Sequence, residues 1–274
     1  MILTVMIGNR TISFALFEEG SEATAARPGT TFGIAAHPTR TADEYAALLS
    51  AMLHQKAPEA HIGCAIIASV VPPLTGEICR ALHSLDADIV CLTVGAGLRS
   101  GLTIRTDAPA DLGADLVAMA AGALALQKPP FLVLNCDAVT TLSAVGVGKD
   151  APAFLGCSIL PGPALSVDAL RSHAAQLPAV ALSHPNRAIG TNTGDSVRAG
   201  ILLGHAAAIE GLIARFEAEI GTGPLPVIVT GEGAESILPL LGHMVTFDGD
   251  LAHRGLYRLA LLNARKVSKN TVRV

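Results

Sequence analysis

Residues 2–17 read ILTVMIGNRTISFALF, and this stretch decides the fold. Two apolar runs, Ile2–Ile7 and Thr11–Phe17, flank the turn Gly8-Asn9-Arg10. A Gly-Asn pair between two such runs is a strong signal for a β-hairpin. The sequence therefore predicts that the chain opens with two paired strands, and Thr30–Ala35 is a candidate third strand.

A second stretch of this kind begins at Phe131. The apolar run Phe131–Leu134 is followed by a turn at Asn135–Ala138, by the alternating run Val139–Val147 and by a strand-like run at Pro152–Leu160. Helices and further strands follow in each half, so the order β-β-β-α-β-α-β-α occurs twice. We expect an α/β fold of two duplicated lobes, 1–118 and 119–274, each a mixed sheet covered by helices, with a ligand-binding cleft between them.

Composition and charge exclude several classes of protein. Half of the chain is hydrophobic and the net charge is only −4, which excludes a disordered protein. The chain has no basic stripe, so nucleic acid is not an expected partner. The apolar run Leu116–Leu126 is shorter than the roughly 20 residues that span a bilayer, so a membrane is not expected either. Five cysteines without a Cys-x-x-Cys pair indicate reduced thiols in the cytoplasm.

A series of short motifs resembles the type III pantothenate kinases, a family with the actin-like (ribonuclease H-like) fold of two duplicated lobes. The motifs occur in the family's order and extend from about residue 1 to residue 264. They are Ile7-Gly8-Asn9, Ser69-Val70-Val71-Pro72, Gly95-Ala96-Gly97 through Ser100-Gly101-Leu102, Asp107-Ala108-Pro109 through Gly113-Ala114-Asp115, Ala138-Val139-Thr140-Thr141, Gly156 through Pro161-Gly162, Ala169-Leu170, Leu177-Pro178, Gly190-Thr191-Asn192-Thr193, Thr230-Gly231, and Gly255-Leu256 with Asn263.

The resemblance implies ATP-dependent phosphorylation of pantothenate, with Mg²⁺ and a monovalent cation as cofactors and a homodimer as the assembly. It implies that Asp115 is the general base. The positions that it assigns to the nucleotide are Gly8, Asn9, Thr140, Thr230 and Gly231. Those that it assigns to the substrate are Gly97, Gly101, Gly113, Gly156, Asn192 and Thr193. We also expect Thr193 to be the N-cap of a long helix, whose free N–H groups form an anion site.

The sequence departs from the family at both positions where a carboxylate faces Mg²⁺ and phosphate. The family's first loop reads Asp-x-Gly-Asn-Thr, and here it is Met6-Ile7-Gly8-Asn9-Arg10. The second reads Asp-Phe-Gly-Thr, and here it is Asn135-Cys136-Asp137-Ala138. Because Mg²⁺ demands hard oxygen ligands, the site lacks a confident metal ligand at Met6 and Asn135.

Other departures add or remove charge near the same loops. The family's Thr-Gly-Gly is Thr230-Gly231-Glu232, and its Gly-Ala-Asp-Arg ends in Leu116. A family Thr before Leu-Pro is replaced by Ala174. Arg10 is a candidate for direct anion binding, since a guanidinium suits phosphate or carboxylate. Asp137 is a candidate for a carboxylate that compensates for Asn135.

Three hypotheses about function remain open. The first is a pantothenate kinase-like pseudoenzyme or repurposed small-anion binder, whose phosphorylation of pantothenate is lost or altered. The second is an active type III pantothenate kinase with a rebuilt metal site, catalysing the first step of coenzyme A biosynthesis. The third is a different enzyme, a ligase or transferase, with Cys136 or Cys157 as the nucleophile.

Overall fold

The predicted opening hairpin is confirmed. The computed structural model describes residues 1–20, 26–173 and 180–270. In it β1 (Ile2–Ile7) pairs antiparallel with β2 (Thr11–Phe17). The remaining strands of this sheet are β3 (Thr30–Ala35), β4 (Cys64–Ser69) and β5 (Val90–Thr93), in the order β3-β2-β1-β4-β5. The pairs β1–β4 and β4–β5 are parallel, so the sheet is mixed as expected.

Helices cover both faces of this first sheet. They are α1 (Ala42–Lys56), α2 (Pro72–Leu85), α3 (Ala114–Leu126) and the last helix of the chain, α7 (Leu251–Asn270). A short strand, β6 (Thr103–Ile104), and a 3₁₀ helix (Pro109–Asp111) precede α3. One face carries Leu3, Val5 and Ile7 into a core with α1 and α2, and the other carries Ile2 and Ile66 into a core with α3 and α7.

Helices α3 and α7 pack with their backbones in direct contact. A side chain at Gly255 would collide with the carbonyl oxygen of Ala118, and a side chain at Gly122 would collide with that of Leu251. Glycine lacks the Cβ atom that would keep the two helices apart. These two glycines therefore allow α7 to pack closely against α3 in the first unit.

The second sheet repeats the first at its centre. Its hairpin is β7 (Phe131–Cys136) with β8 (Val139–Gly146), followed by β9 (Ala153–Pro161). Strands β10 (Val227–Thr230) and β11 (Val245–Phe247) add in parallel on the other side, in the order β11-β10-β7-β8-β9. The helices are α4 (Pro163–His173), α5 (Thr193–Ile220) and α6 (Ala234–Ile237), with a 3₁₀ helix at Leu238–Leu240.

Helix α5 contributes to the core of this second unit. Leu202, Ile209 and Ile213 are fully buried and cluster with Leu132 and Leu134 of β7. By length and composition alone α5 would also be long enough to cross a membrane, and a third of its most apolar window is buried in the protein. Burial of these three residues gives the helix a packing role within the unit.

The chain divides into two compact units, but not at the expected residue. One unit comprises Met1–Leu126 with Asp250–Val274, and the other comprises Gln127–Gly249. The expected division at 118/119 does not coincide with these limits, because the whole of α3 packs against the first sheet and α7 packs against α3 through the two glycines. The predicted α/β class, with two mixed sheets covered by helices, is confirmed. Ala174 and the Leu177-Pro178 motif lie outside the described residues.

Candidate functional site

The predicted loop at residues 8–10 is an exposed turn between β1 and β2. The Gly8 N–H donates to the Thr11 carbonyl at 3.0 Å, and the Ala36 N–H donates to the Arg10 carbonyl at 2.9 Å. These two bonds fix the turn backbone, while Asn9 and Arg10 are exposed. The turn therefore presents one amide and one guanidinium to solvent, which suits contact with an anion.

Met6 lies on β1 just before this turn. Its neighbours across the sheet are Ser13 on β2 and Ala68 on β4. Met6 is partly buried and packs against the cluster that includes Tyr257 of α7. The thioether is therefore held by apolar packing at the position where the resemblance predicts a carboxylate.

Beside Met6 lies a buried histidine that the sequence did not single out. The Thr4 hydroxyl donates to the Ala15 carbonyl at 3.1 Å, so it accepts the 2.8 Å bond from Nδ1–H of His253. The other ring nitrogen, Nε2, then accepts from the Ser13 hydroxyl at 3.0 Å. Burial lowers the pKa of His253 to about 4, so the ring is neutral at pH 7. No local sequence pattern reveals this network, because α7 is some 240 residues from the hairpin that it touches.

Asp115, the expected base, lies in the first turn of α3. A side chain at Gly113 would collide with the Asp115 carboxylate, so this glycine makes room for it. Leu116, where the resemblance predicts an arginine, is buried. Asp115 and the β1–β2 turn belong to the same compact unit.

The glycine-rich loop after β5 contains the predicted substrate positions Gly97 and Gly101. Both glycines have positive φ angles, +84° and +73°, which accounts for glycine structurally at each position. Asn263 of α7 anchors the loop: it accepts from the Arg99 N–H at 3.1 Å and donates to the Arg99 carbonyl at 2.9 Å. A substrate contact at Gly97 or Gly101 stays a prediction.

In the second unit, two loops bring five of the predicted residues together. Thr230 of β10 pairs with Asn135 of β7, which pairs with Thr141 of β8, so their three side chains form one uncharged, buried row. The Thr141 hydroxyl is buried without a hydrogen-bond partner among the described residues. Asn135 and Thr230 are two of the five predicted residues. The other three lie just past the strand ends: Asp137 follows β7, and Gly231 and Glu232 follow β10.

Gly231 allows these two loops to approach closely. Its φ is +100°, and a Cβ there would lie 2.6 Å from both the Asn135 Oδ1 and the Cys136 carbonyl oxygen. Any other residue would be strained in φ and would push the loops apart. Glycine at this position is therefore required by the packing of the two loops, whatever ligand they bind.

Hydrogen bonds join the same two loops. The Glu232 N–H donates to Asp137 Oδ1 at 2.9 Å. The Gly233 N–H donates to the Cys136 carbonyl at 2.7 Å, and the Ala234 N–H donates to the Gly231 carbonyl at 3.2 Å. The carboxylates of Asp137 and Glu232 are exposed. The loops therefore form a closed, acidic turn at the ends of β7 and β10.

Thr140 lies on the other face of the sheet from Asn135, because side chains alternate along a strand. It is fully buried, and its hydroxyl shares a 3.0 Å hydrogen bond with His205 Nε2 of α5. Burial lowers the pKa of His205 as it does that of His253. A nucleotide contact of Thr140 stays a prediction, and the residue that shares the row with Asn135 is Thr141.

The remaining predicted substrate residues have local structural roles. Gly156 lies at a β-bulge, where Ala144 pairs with Gly156 and Val145 with Phe154. Thr193 was expected to be the N-cap of α5, and this is wrong by one residue. The cap is Asn192, whose Oδ1 accepts from the Asp195 N–H at 2.9 Å and whose Nδ2 donates to the Asp195 carboxylate at 2.7 Å.

The cysteine hypothesis receives little support from the site geometry. Cys136 is buried, and burial, with a smaller contribution from the Asp137 charge, raises the pKa of its thiol to about 12. A thiol with that pKa stays protonated at pH 7 and is a poor nucleophile.

Among the described residues, no three His, Cys, Asp or Glu side chains form a group that could hold a metal ion.

Solved structures with the same fold include nucleotide-binding and actin-like proteins. The activator of 2-hydroxyisocaproyl-CoA dehydratase from Clostridium difficile, with bound ADPNP, matches with a TM-score of 0.54 and 10% identity, over 100% of this chain and 97% of its own. An archaeal actin homolog matches with a TM-score of 0.50 and 17% identity, over 96% and 99%. At such low identity these likenesses show the actin-like fold alone.

The sequence comparisons are more specific. The model of the type III pantothenate kinase family matches residues 2–215. A type III pantothenate kinase from Rhodospirillum centenum is 36% identical over 271 residues, covering 97% of this chain and all of the relative. Family model, full-length relative and fold agree, and the chain belongs to the type III pantothenate kinase family.

Proposed function

We propose that this protein binds a small organic acid, pantothenate or an analogue, on the type III pantothenate kinase scaffold, with ATP–Mg²⁺-dependent phosphorylation lost or altered. One observation carries the proposal. Of the two positions where family members have a metal-facing carboxylate, one holds Met6 in an apolar cluster and the other holds Asn135 in an uncharged row. Asp115, the expected base, is present in the first turn of α3.

The donor set at these positions does not fit Mg²⁺. This ion is bound through hard oxygen ligands, above all carboxylates and phosphates. A thioether offers no such oxygen, and a neutral amide supplies no charge to offset that of the ion and the phosphates. Of the cofactors that the family resemblance implies, ATP, Mg²⁺ and a monovalent cation, Mg²⁺ has no suitable ligand in Met6 or Asn135.

A second candidate function is an active pantothenate kinase with a rebuilt metal site. The observation that favours it is the presence of two new exposed carboxylates, Asp137 and Glu232, on adjacent loops. In this alternative Asp137 would hold the cation that Asn135 cannot, and Asp115 would accept the proton of the substrate hydroxyl. The relatives that the chain resembles are named as kinases, which is consistent with this alternative.

Three further features belong to the proposal. By family resemblance the protein would form a homodimer, and neither nucleic acid nor a membrane is an expected partner. We place it in the cytoplasm, which is consistent with five cysteines that form no disulfide in the structure. Thermal shift measurements with pantothenate, ATP and a panel of small organic acids would identify which of them stabilise the folded protein.

The decisive experiment is a coupled assay of ATP-dependent pantothenate phosphorylation, with K⁺ and either Mg²⁺ or Mn²⁺ present. We expect no turnover by the unmodified protein above a no-enzyme blank. Robust turnover would overturn the proposal in favour of the rebuilt kinase. Turnover that disappears in Asp115→Asn and in Asp137→Asn would establish that alternative in particular.

Restoring the family carboxylates tests the same idea in the opposite direction. We expect the double variant Met6→Asp/Asn135→Asp, assayed at saturating ATP, to reach a turnover at least about 100-fold above the no-enzyme blank, because each electrostatic contribution to a transition state is worth several kcal/mol. Asp115→Asn in the double variant should remove the gain. The matched control is Asp150→Asn, which changes an exposed carboxylate elsewhere in the second unit. A folded double variant without any gain would show that these two positions do not limit catalysis.

A further inference from the structure

The loop between β10 and α6 begins where a strand ends, the usual place for backbone N–H groups that bind phosphate. In this chain three successive N–H groups of the loop already have acceptors. Glu232 donates to the Asp137 carboxylate, Gly233 to the Cys136 carbonyl and Ala234 to the Gly231 carbonyl, at 2.9, 2.7 and 3.2 Å. Two of these three acceptors, the Asp137 carboxylate and the Cys136 carbonyl, lie at the β7–β8 turn. Groups of the protein itself therefore accept the hydrogen bonds that a phosphate would otherwise receive from these N–H groups.

Close packing holds the backbone of the β7–β8 turn in place from two sides. Gly231 contacts it on one side, where a Cβ would lie 2.6 Å from the Cys136 carbonyl oxygen. On the other side, a side chain at Gly162 would collide with the carbonyl oxygens of Asp137 and Ala138. The Gly162 N–H also donates to the Ala138 carbonyl at 2.9 Å. The Asp137 side chain therefore starts from a fixed backbone beside the Glu232 N–H.

We propose that Asp137 is a specificity-determining residue that acts as an internal anion: its carboxylate occupies the Glu232 N–H and excludes polyphosphates from this loop. The inference rests on the proposed function and explains how the nucleotide side of the family site is closed in this chain. Asp137 is thereby a blocking group, and not a substitute ligand for a metal ion.

The energetics follow from charge and hydrogen bonding. A phosphate that approached the loop would have to displace a carboxylate from a charge-assisted hydrogen bond, which is stronger than a neutral one. It would also meet the Glu232 carboxylate, which is exposed on this loop. Like charges this close repel one another, and the repulsion is screened only in part by salt. A ligand without a polyphosphate group does not incur these costs.

The test measures ATP binding by isothermal titration calorimetry in EDTA, without pantothenate, for a set of single variants. Asp137→Ala removes both the charge and the acceptor. Asp137→Asn removes the charge and keeps an oxygen that can accept from the Glu232 N–H. The control Asp150→Ala removes an exposed carboxylate between β8 and β9, which changes the net charge of the same unit by the same amount.

We expect Asp137→Ala to bind ATP at least about 10-fold more tightly than the unmodified protein, since a hydrogen bond to a charged group is worth more than a tenfold change in affinity. Asp137→Asn should gain clearly less, and Asp150→Ala should not gain. Equal gains in Asp137→Asn and Asp137→Ala would overturn the role of the occupied N–H. So would an unchanged affinity in Asp137→Ala, or equal gains in Asp137→Ala and Asp150→Ala.

The unmodified protein provides a second measurement should Asp137→Ala fail to fold. In ¹⁵N NMR spectra, the Glu232 amide resonance should not shift when ATP is added without metal, and a saturable shift would overturn the inference. Neither measurement follows phosphorylation, so the outcome is separable from that of the proposed function. Turnover of pantothenate by the unmodified protein would reject the proposed function, whereas the ATP affinities decide the role of Asp137.

Discussion

The two hairpins of the molecule differ chemically at the positions where the resemblance predicts a carboxylate. At the end of β1 the replacement is Met6, whose thioether packs against apolar side chains. At the end of β7 it is Asn135, an amide in a row with Thr141 and Thr230. The first position is apolar, whereas the second carries hydrogen-bonding groups without a charge. A carboxylate should therefore lower the free energy of unfolding less at position 135 than at position 6.

Each unit also buries one histidine against hydroxyl groups of its hairpin. His253 bonds to Thr4 and Ser13 in the first unit, and His205 bonds to Thr140 in the second. Burial lowers the pKa of both rings. The first unit has the more elaborate network, because its histidine joins two strands instead of touching one. Both units thus contain a buried histidine hydrogen-bonded to a strand hydroxyl, and they differ in how many strands that histidine connects.

The largest effect should come from the contact that closes the first unit. Gly255→Ala places a methyl group against the Ala118 carbonyl, and we expect it to lower the free energy of unfolding by about 3 kcal/mol or more, since neither helix backbone can move aside cheaply. Urea denaturation followed by circular dichroism measures this.

The matched control for that variant is Gly200→Ala in α5 of the second unit, where a Cβ meets nothing within 4 Å. It should be stabilising by about 0.5–1 kcal/mol, because alanine has the higher helix propensity. If the two variants had equal stabilities, the glycine contact would not be what joins α7 to the first sheet.

Much of the fold was predictable because its signals are local. The hairpin at Gly8-Asn9 and the predicted strands Ile2–Ile7, Thr11–Phe17 and Thr30–Ala35 agree with the observed ones. The placement of α7 was not predictable in this way. It depends on contacts of Gly122 and Gly255 with the backbone of a helix some 130 residues away, and glycine in a helix carries no periodic signal of its own.

The second largest effect concerns the pH dependence of stability. With a pKa of about 4 in the folded protein against 6.5 in the unfolded chain, His253 takes up its proton mainly in the unfolded state. Stability should therefore fall as pH falls from about 6.5 towards 4. Between pH 7 and pH 5 the expected loss from this residue is about 2 kcal/mol.

His253→Gln tests this effect, because glutamine does not titrate and still offers a donor and an acceptor to Thr4 and Ser13. Urea denaturation at pH 7 and pH 5 should show a smaller difference for this variant than for the unmodified protein. His205→Gln makes the same comparison in the second unit and should have less effect. His54→Gln, which changes an exposed histidine, is the control for the substitution itself. A pH dependence that is the same in all four proteins would contradict the assignment to His253.

The candidate site was predictable to the extent that it consists of chain-local motifs. The resemblance placed Met6, Asn135, Asp137 and Glu232 in three loops, and in the second unit the structure brings the last three residues together. The sequence could not show that the Asp137 carboxylate accepts from the Glu232 N–H, because a backbone donor leaves no trace in residue identity. It also placed the N-cap of α5 at Thr193, since threonine and asparagine are both good caps and neighbouring ones cannot be told apart by type.

The smallest predicted effect separates capping from ligand binding at Asn192. Both polar atoms of its side chain are used by Asp195, so Asn192→Ala should lower the free energy of unfolding by about 1 kcal/mol and leave pantothenate affinity unchanged. Thr41→Ala is the counterpart in the first unit, where Thr41 caps α1 in a capping box with Glu44. It should cost about the same.

Thermal denaturation and pantothenate calorimetry on both cap variants complete the comparison. Equal losses of stability with unchanged affinity would assign Asn192 to the helix alone, because a capping side chain acts on the folded state as a whole. Loss of affinity in Asn192→Ala but not in Thr41→Ala would instead make Asn192 a ligand contact. The Asn192 side chain would then exchange its hydrogen bonds with Asp195 for hydrogen bonds with pantothenate when the substrate binds.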